Sequence, residues 1–223
     1  MSDTHVIAIG GESDDDLKCM TPIDEYIISL TGKAAPVVLY ISTANGDDPV
    51  KIADFSNKYA AIGCSVIPLA FFIPPFPHAQ QISSMFEKAD IIYVAGGNTR
   101  AMLAVWREFG VTDLLKAAGD QGKILCGVSA GAICWFDFGH SDSGGAFALI
   151  NGLGMLPGAL CPHFNSEEGR KTSFVELIAT SAFNLPTPST TALPCTSKTV
   201  AIRRPFTMTP LAVVMQSPCG RPT

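Results

Sequence analysis

Ser129 stands between two glycines in Gly127-Val128-Ser129-Ala130-Gly131, directly after the apolar run Lys123-Ile124-Leu125-Cys126 and before Ala132-Ile133-Cys134-Trp135-Phe136. A Gly-x-Ser-x-Gly pattern between a buried strand and a helix is a nucleophile elbow, a tight turn that lifts the serine hydroxyl out of a sheet. Glycines flank such a turn because the chain bends sharply and neighbouring backbone must approach closely. The pattern predicts a helix beginning at the turn, whose free N–H groups and positive dipole end face any oxyanion formed beside Ser129. The plainer alternative is a Gly/Ala-rich turn that only packs a helix onto a sheet.

A serine becomes a useful nucleophile when a base takes its proton, and histidine is the usual base. The chain has four histidines. His5 precedes the first apolar run and His78 sits in a proline-rich segment, and both read as solvated. His140 lies in Phe138-Gly139-His140-Ser141-Asp142-Ser143, and His163 in Leu160-Cys161-Pro162-His163-Phe164-Asn165. The Gly-rich approach over 152–158 suggests a short strand ending at His163. On spacing alone His163 is preferred to His140 only slightly.

The elements that must position these residues are legible as short apolar runs over 6–9, 37–42, 65–70, 90–95 and 123–128, which read as buried parallel strands. Amphipathic stretches over 15–30, 49–62, 80–88 and 99–109 read as helices between them. This alternation predicts an α/β fold with a doubly wound, mostly parallel sheet. Ligands bind such sheets outside the carboxyl ends of the strands. Three strand ends are rich in Gly, Asn or Ser: Gly10-Gly11-Glu12-Ser13, Gly96-Gly97-Asn98-Thr99 and the serine turn, so they are expected to converge on one edge. The run Phe71-Phe72-Ile73-Pro74-Pro75-Phe76-Pro77 reads as an ordered surface loop, with an apolar lid or dimer contact as the alternative.

Bulk properties narrow the function. At 223 residues, with 47% hydrophobic and 16% charged residues, one compact globular domain over 1–223 is expected. A formal charge of −5 gives no electrostatic reason to expect nucleic acid or an anionic membrane. Seven cysteines without framework spacing read as reduced thiols of a cytoplasmic protein. No secretory signal is visible, and no apolar run approaches the ~20 residues of a membrane span.

Gly96-Gly97-Asn98-Thr99, Gly127-Val128-Ser129-Ala130-Gly131-Ala132, and Gly152-Leu153-Gly154 leading to Pro162-His163-Phe164 occur in the order and spacing of peptidase E-like proteins, the S51 serine peptidases that include aspartyl dipeptidase. Ile133-Cys134-Trp135-Phe136 with Ser141-Asp142-Ser143 resembles the Gram-positive-type branch. The resemblance implies a class I glutamine amidotransferase-like, flavodoxin-like three-layer fold with serine in place of that fold's cysteine. It implies Ser129 as nucleophile, His163 as general base, and the N–H groups of Ala130 and Gly97 as an oxyanion hole. Asn98 opens the following helix, and either caps it or touches substrate. No metal or organic cofactor is required, and the implied partner is a short peptide, with the protein a monomer or homodimer.

The resemblance also implies a triad acid, and two positions have served in relatives. One, shortly after the nucleophile, falls on Asp142; its alternative is a loop residue capping its own turn. The other is a segment of the form Ala-Ile-Asp/Glu-Asp/Asn-Gly-Ala-Ala-Leu past the histidine, and this chain carries no acid there. A dipeptidase preferring N-terminal aspartate needs a cation for the substrate carboxylate. Arg170, in Glu167-Glu168-Gly169-Arg170-Lys171, is a candidate because a guanidinium binds carboxylate bidentately. A solvated helix start is the alternative. The family also contains cyanophycinase-like members, but those chains are longer and cleave a different bond. An ordinary serine esterase and a catalytically impaired small-molecule-binding or regulatory domain are the alternative readings.

The segment 177–223 differs in kind. It has no Asp or Glu, while Pro, Thr and Ser crowd in. Residues 184–198 show no helical or strand periodicity, and only 211–215 reads as a strand. A slip of the coding frame between about 176 and 184 accounts for this. Read from the third base of each preceding codon, residues 187–195 can encode Ala-Ile-Asp-Asp-Gly-Ala-Ala-Leu, the missing segment.

Overall fold

A computed structural model of the chain describes residues 5–11, 13, 15–181, 192–194 and 200–203. The main sheet is built from β1 (His5–Ile9), β2 (Val37–Ile41), β3 (Ser65–Leu69), β4 (Ile91–Val94), β5 (Ile124–Val128) and β10 (Val200–Arg203). Its order is β10-β1-β5-β4-β2-β3. Strands β1 to β5 run parallel, and β10 pairs antiparallel with β1 at one edge. The expected α/β fold with a mostly parallel sheet is thus observed. Pro68 lies in β3 at the opposite edge, where one side of a strand needs no ladder partner.

Alternation along the strands divides the core in two. Val6, Leu39, Ile92, Val94 and Leu125 point to the face covered by α3 (Ala79–Lys88), α4 (Thr99–Glu108) and α5 (Val111–Asp120), through Ile82, Phe86, Met102, Trp106 and Leu115. Ile7, Ile9, Val38, Tyr40, Tyr93 and Cys126 point to the face covered by α1 (Pro22–Ser29) and α2 (Pro49–Ala60), through Ile23, Ile27, Phe55 and Tyr59. Both faces are therefore buried, which is why the strands read as continuous apolar runs. Stacked Tyr40, Phe55 and Tyr59 rings pin α2 to the sheet, each pair adding about 1 kcal/mol beyond its buried area.

A second sheet of β6 (Phe136–Ser141), β7 (Ala148–Asn151), β8 (Leu156–Cys161) and β9 (Ala192–Pro194) lies in the order β7-β6-β8-β9. It carries the chain from the serine turn out to His163 and into α7 (Arg170–Ser181). Two expectations change here. The helix after the serine, α6 (Ala130–Ile133), is a single turn, because the chain passes directly into β6. The helix expected over 15–30 is confined to α1, which starts at a capping box between Thr21 and Asp24. Short strands at 192–194 and 200–203 occupy stretches without strand periodicity, held by pairing with β8 and β1. Most of the atypical tail, including the strand expected at 211–215, lies outside the described residues.

Candidate active site

The serine turn has the geometry that its sequence predicts. Ser129 follows β5 with φ 52° and ψ −109°, a positive-φ backbone that a residue bearing a side chain rarely adopts, at a cost of about 1–3 kcal/mol. Both flanking glycines are dictated by close approach. A Cβ on Gly127 would collide with the carbonyl of Gly131, and one on Gly131 with the carbonyl of Val94. The turn thus lies flat on β4 only because two side chains are absent.

His163 Nε2 lies 2.9 Å from Ser129 Oγ. The two side chains hang from successive carbonyls at the end of β1: Ser129 N–H donates to Ile9 O at 2.9 Å and His163 N–H to Gly10 O at 3.0 Å. His163 also has positive φ, 54°. A Cβ on Gly11 would stand 2.8 Å from Nδ1 and Cε1 of the imidazole, so the glycine backbone forms a wall behind the ring. Burial lowers the pKa of His163 below 6.5, with Arg170 acting in the same direction and Glu167 and Asp142 in the opposite one. The net direction keeps the ring neutral near pH 7, as a base must be.

Gly97, with φ 141°, sits beside the serine on the loop after β4, and a Cβ there would strike the carbonyl of Ala44. That carbonyl accepts from Asn98 N–H at 2.7 Å. Trp106 Nε1 holds the same segment by donating to Thr43 Oγ1 at 3.2 Å. Buried Asp47 fixes its far end by accepting from Ser42 Oγ and from the N–H groups of Phe71 and Phe72. Among the described residues neither Gly97 N–H nor Ala130 N–H donates to a protein acceptor. Asn98 caps α4, its Oδ1 accepting from Ala101 N–H at 2.9 Å, which answers its role in the helix.

Two sequence candidates lie elsewhere than the chemistry proposed for them requires. Asp142 does not hydrogen-bond to His163. Its side chain is 62% exposed, reaching Arg170 at 3.5 Å, and its carbonyl closes a turn by accepting from Gly145 N–H. Arg170 is not presented to a ligand. Its guanidinium is 3% exposed and committed to Glu167, to the His140 carbonyl and to the face of Phe147. Arg170 therefore braces the turn carrying His163 against β6. His140, the other histidine candidate, is fully buried on β6, stacked on Phe147 and bonded to Ser173 Oγ at 3.0 Å and Cys161 Sγ at 3.4 Å.

A cleft of about 220 Å³ opens over the pair, lined by Ser13, Leu17, Tyr40, Asn45, Lys51, Ala95, Gly96, Gly97, Val128, Ser129 and His163. These residues come from the carboxyl ends of β1, β2, β4 and β5 and from the turn after β8, the edge where ligands bind in such sheets. Asn45 and Lys51 are polar members of this lining to which sequence reasoning gave no role. Among the described residues no group of three or more His, Cys, Asp or Glu could hold a metal ion.

A mostly parallel sheet covered by helices on both faces, with a Ser–His hydrogen bond at its carboxyl edge, makes this an α/β protein of the flavodoxin-like, class I glutamine amidotransferase-like kind. The chain belongs to peptidase family S51, whose model matches residues 6–193, so a peptidase activity is what its membership supports. It is 34% identical over 175 residues to the uncharacterized peptidase YgaJ of Bacillus subtilis (strain 168), covering 78% of this chain and 75% of that one. Solved structures share the fold. A provisionally assigned peptidase E of Listeria monocytogenes EGD-e superposes with a TM-score of 0.64 at 16% identity, covering 92% of this chain and 96% of that one. A peptidase from an acI-B1 actinobacterium gives 0.63 at 14% identity, covering 89% and 82%.

Proposed function

We propose that the protein is a serine peptidase that hydrolyses short peptides, dipeptides with N-terminal aspartate among them, through an acyl-enzyme on Ser129. The observation that carries this reading is the 2.9 Å contact of His163 Nε2 with a serine held at positive φ. Ser129 Oγ attacks the scissile carbonyl carbon while its proton passes to Nε2, which requires the tautomer protonated at Nδ1. The N–H groups of Gly97 and Ala130 receive the oxyanion, each worth about 3 kcal/mol of barrier. The C–N bond breaks as His163 returns the proton to the leaving amine. Water then attacks the ester, His163 takes its proton, and that proton is restored to Ser129 Oγ. Because the pKa of His163 is lowered, activity is retained at pH 6.5 and falls only in more acidic solution.

The test is incubation with a serine-directed phosphonate beside turnover of Asp-X dipeptides and a general ester. One label on Ser129 with peptide turnover supports the reading; ester turnover alone indicates an esterase. A second reading, a domain that binds small molecules without turnover, is favoured by one feature. Among the described residues no carboxylate hydrogen-bonds to His163 Nδ1, and absence of both label and turnover selects it. The coding-frame slip beyond about residue 176 belongs to the same proposal and is tested by sequencing the gene. We also place the protein in the cytoplasm, since its seven cysteines show no disulfide-framework spacing. Among the described residues no helix is long and apolar enough to cross a membrane.

A further inference from the structure

The geometry points to Lys51 as the residue that selects substrate, by pairing with a carboxylate of the bound peptide. This deepens the peptidase reading and rests on it. Lys51 lines the same cleft as Ser129 and His163, at the third position of α2. Among the described lining residues it is the one lysine or arginine, and no Asp or Glu accompanies it. Among the described residues it makes no ion pair. The other cation near the site, Arg170, is consumed by Glu167, Asp142 and the His140 carbonyl.

The placement is unfavourable for the fold by itself. A cation in the first turn of a helix opposes the dipole, and that turn normally carries Asp or Glu; the first turn of α2 carries no acid. Lys51 is also half-buried and has no ion-pair partner among the described residues, so an anion entering the cleft meets an unpaired ammonium. Its backbone is well anchored. Pro49 opens the helix, Asp48 caps it by accepting from Val50 N–H at 2.9 Å, and Asn45 Oδ1 accepts from Asp48 N–H at 3.2 Å. Asn45 lines the cleft on the segment that braces Gly97 through Ala44, so the lysine and the oxyanion loop share one support. A carboxylate held by Lys51 is thereby fixed relative to the scissile carbonyl.

That carboxylate has two sources in a short peptide, an acidic side chain and the C-terminus. The test compares Asp-Leu, Asn-Leu and Asp-Leu amide on the full chain and on Lys51→Met and Lys51→Arg, by kcat/KM. The same peptides are titrated calorimetrically into Ser129→Ala with and without Lys51→Met, so recognition is read without turnover. The preference for the charged over the matched neutral peptide falls about 10- to 100-fold in Lys51→Met and is kept in Lys51→Arg. Collapse of the Asp/Asn ratio identifies the side chain, and collapse of the acid/amide ratio the C-terminus. Equal ratios with and without Lys51, or no binding by either chain, overturn the assignment. Phosphonate labelling of Ser129 separates the two claims. A labelled serine without Lys51-dependent selectivity sinks only the lysine, and selectivity without a label sinks only the peptidase reading.

Discussion

Among the described residues, two histidine–serine hydrogen bonds have almost equal length, His163 to Ser129 at 2.9 Å and His140 to Ser173 at 3.0 Å. Burial is the first cause of a lowered imidazole pKa at both, and at His140 the value reaches about 4. Their surroundings differ in every other respect. His140 is enclosed between Phe147 and Phe174, with Ser173 on regular α7. His163 faces a cleft that Gly97 also lines, and its serine is held at positive φ at the turn after β5. The shared contact therefore teaches little. Backbone strain and access distinguish a candidate site from a packed polar pair.

The sharpest way to break this contrast is to delete each serine. Ser129→Ala is expected to lower kcat by roughly 10⁵- to 10⁶-fold, and adding His163→Ala to cost little more, since the two act as a unit. Ser173→Ala should change kcat less than tenfold, and comparable losses in steady-state assays would erase the distinction. Gly11→Ala tests the wall behind the catalytic imidazole. The new methyl must displace the ring, so a loss of about 10²-fold in kcat is expected with the melting temperature nearly unchanged; a fully active variant would refute the wall.

For the buried histidine, pH is the probe. Its folded pKa of about 4 lies below the unfolded value of 6.5, so the unfolded chain takes up the proton first. Stability is full above pH 6.5 and falls by roughly 1–3 kcal/mol as the pH drops toward 4. Urea titrations across that window check this, and His140→Phe should flatten the slope. Smallest is Asp142→Asn, which removes one exposed partner of Arg170 and should cost under about 1 kcal/mol of stability and under tenfold in rate. A loss of several orders of magnitude would restore Asp142 to the proton relay.

Much of this was readable from the residues. The five parallel strands appear as apolar runs because both sheet faces are covered, and Gly127, Ser129 and Gly131 carry a steric requirement that leaves a local signature. Where the sequence misled, the cause was distance or context. Arg170 was attractive for its nearness to His163 in the chain, yet a buried guanidinium is consumed by its neighbours. Lys51 gave no signal, and Gly11 only that of a strand end at the edge, because their meaning depends on which loops meet there. The helix expected after Ser129 stops after one turn, because pairing within the second sheet overrides an apolar stretch that suits either structure. Helix α5 went unassigned because it follows α4 with little more than Gly110 at the break.

The two hydrogen bonds from Ser129 and His163 to Ile9 and Gly10 have a consequence for how the site comes into being. Ser129 and His163 arrive from different sheets, yet their N–H groups are moored to successive residues at the end of the first strand, about 3.8 Å apart along the backbone. Relative sliding of the sheets would have to break a mooring before it could change the spacing of the pair. The same arrangement makes both residues depend on one segment of the chain. A chain in which β1 has not settled against β5 lacks both hydrogen bonds, so neither side chain is held in place.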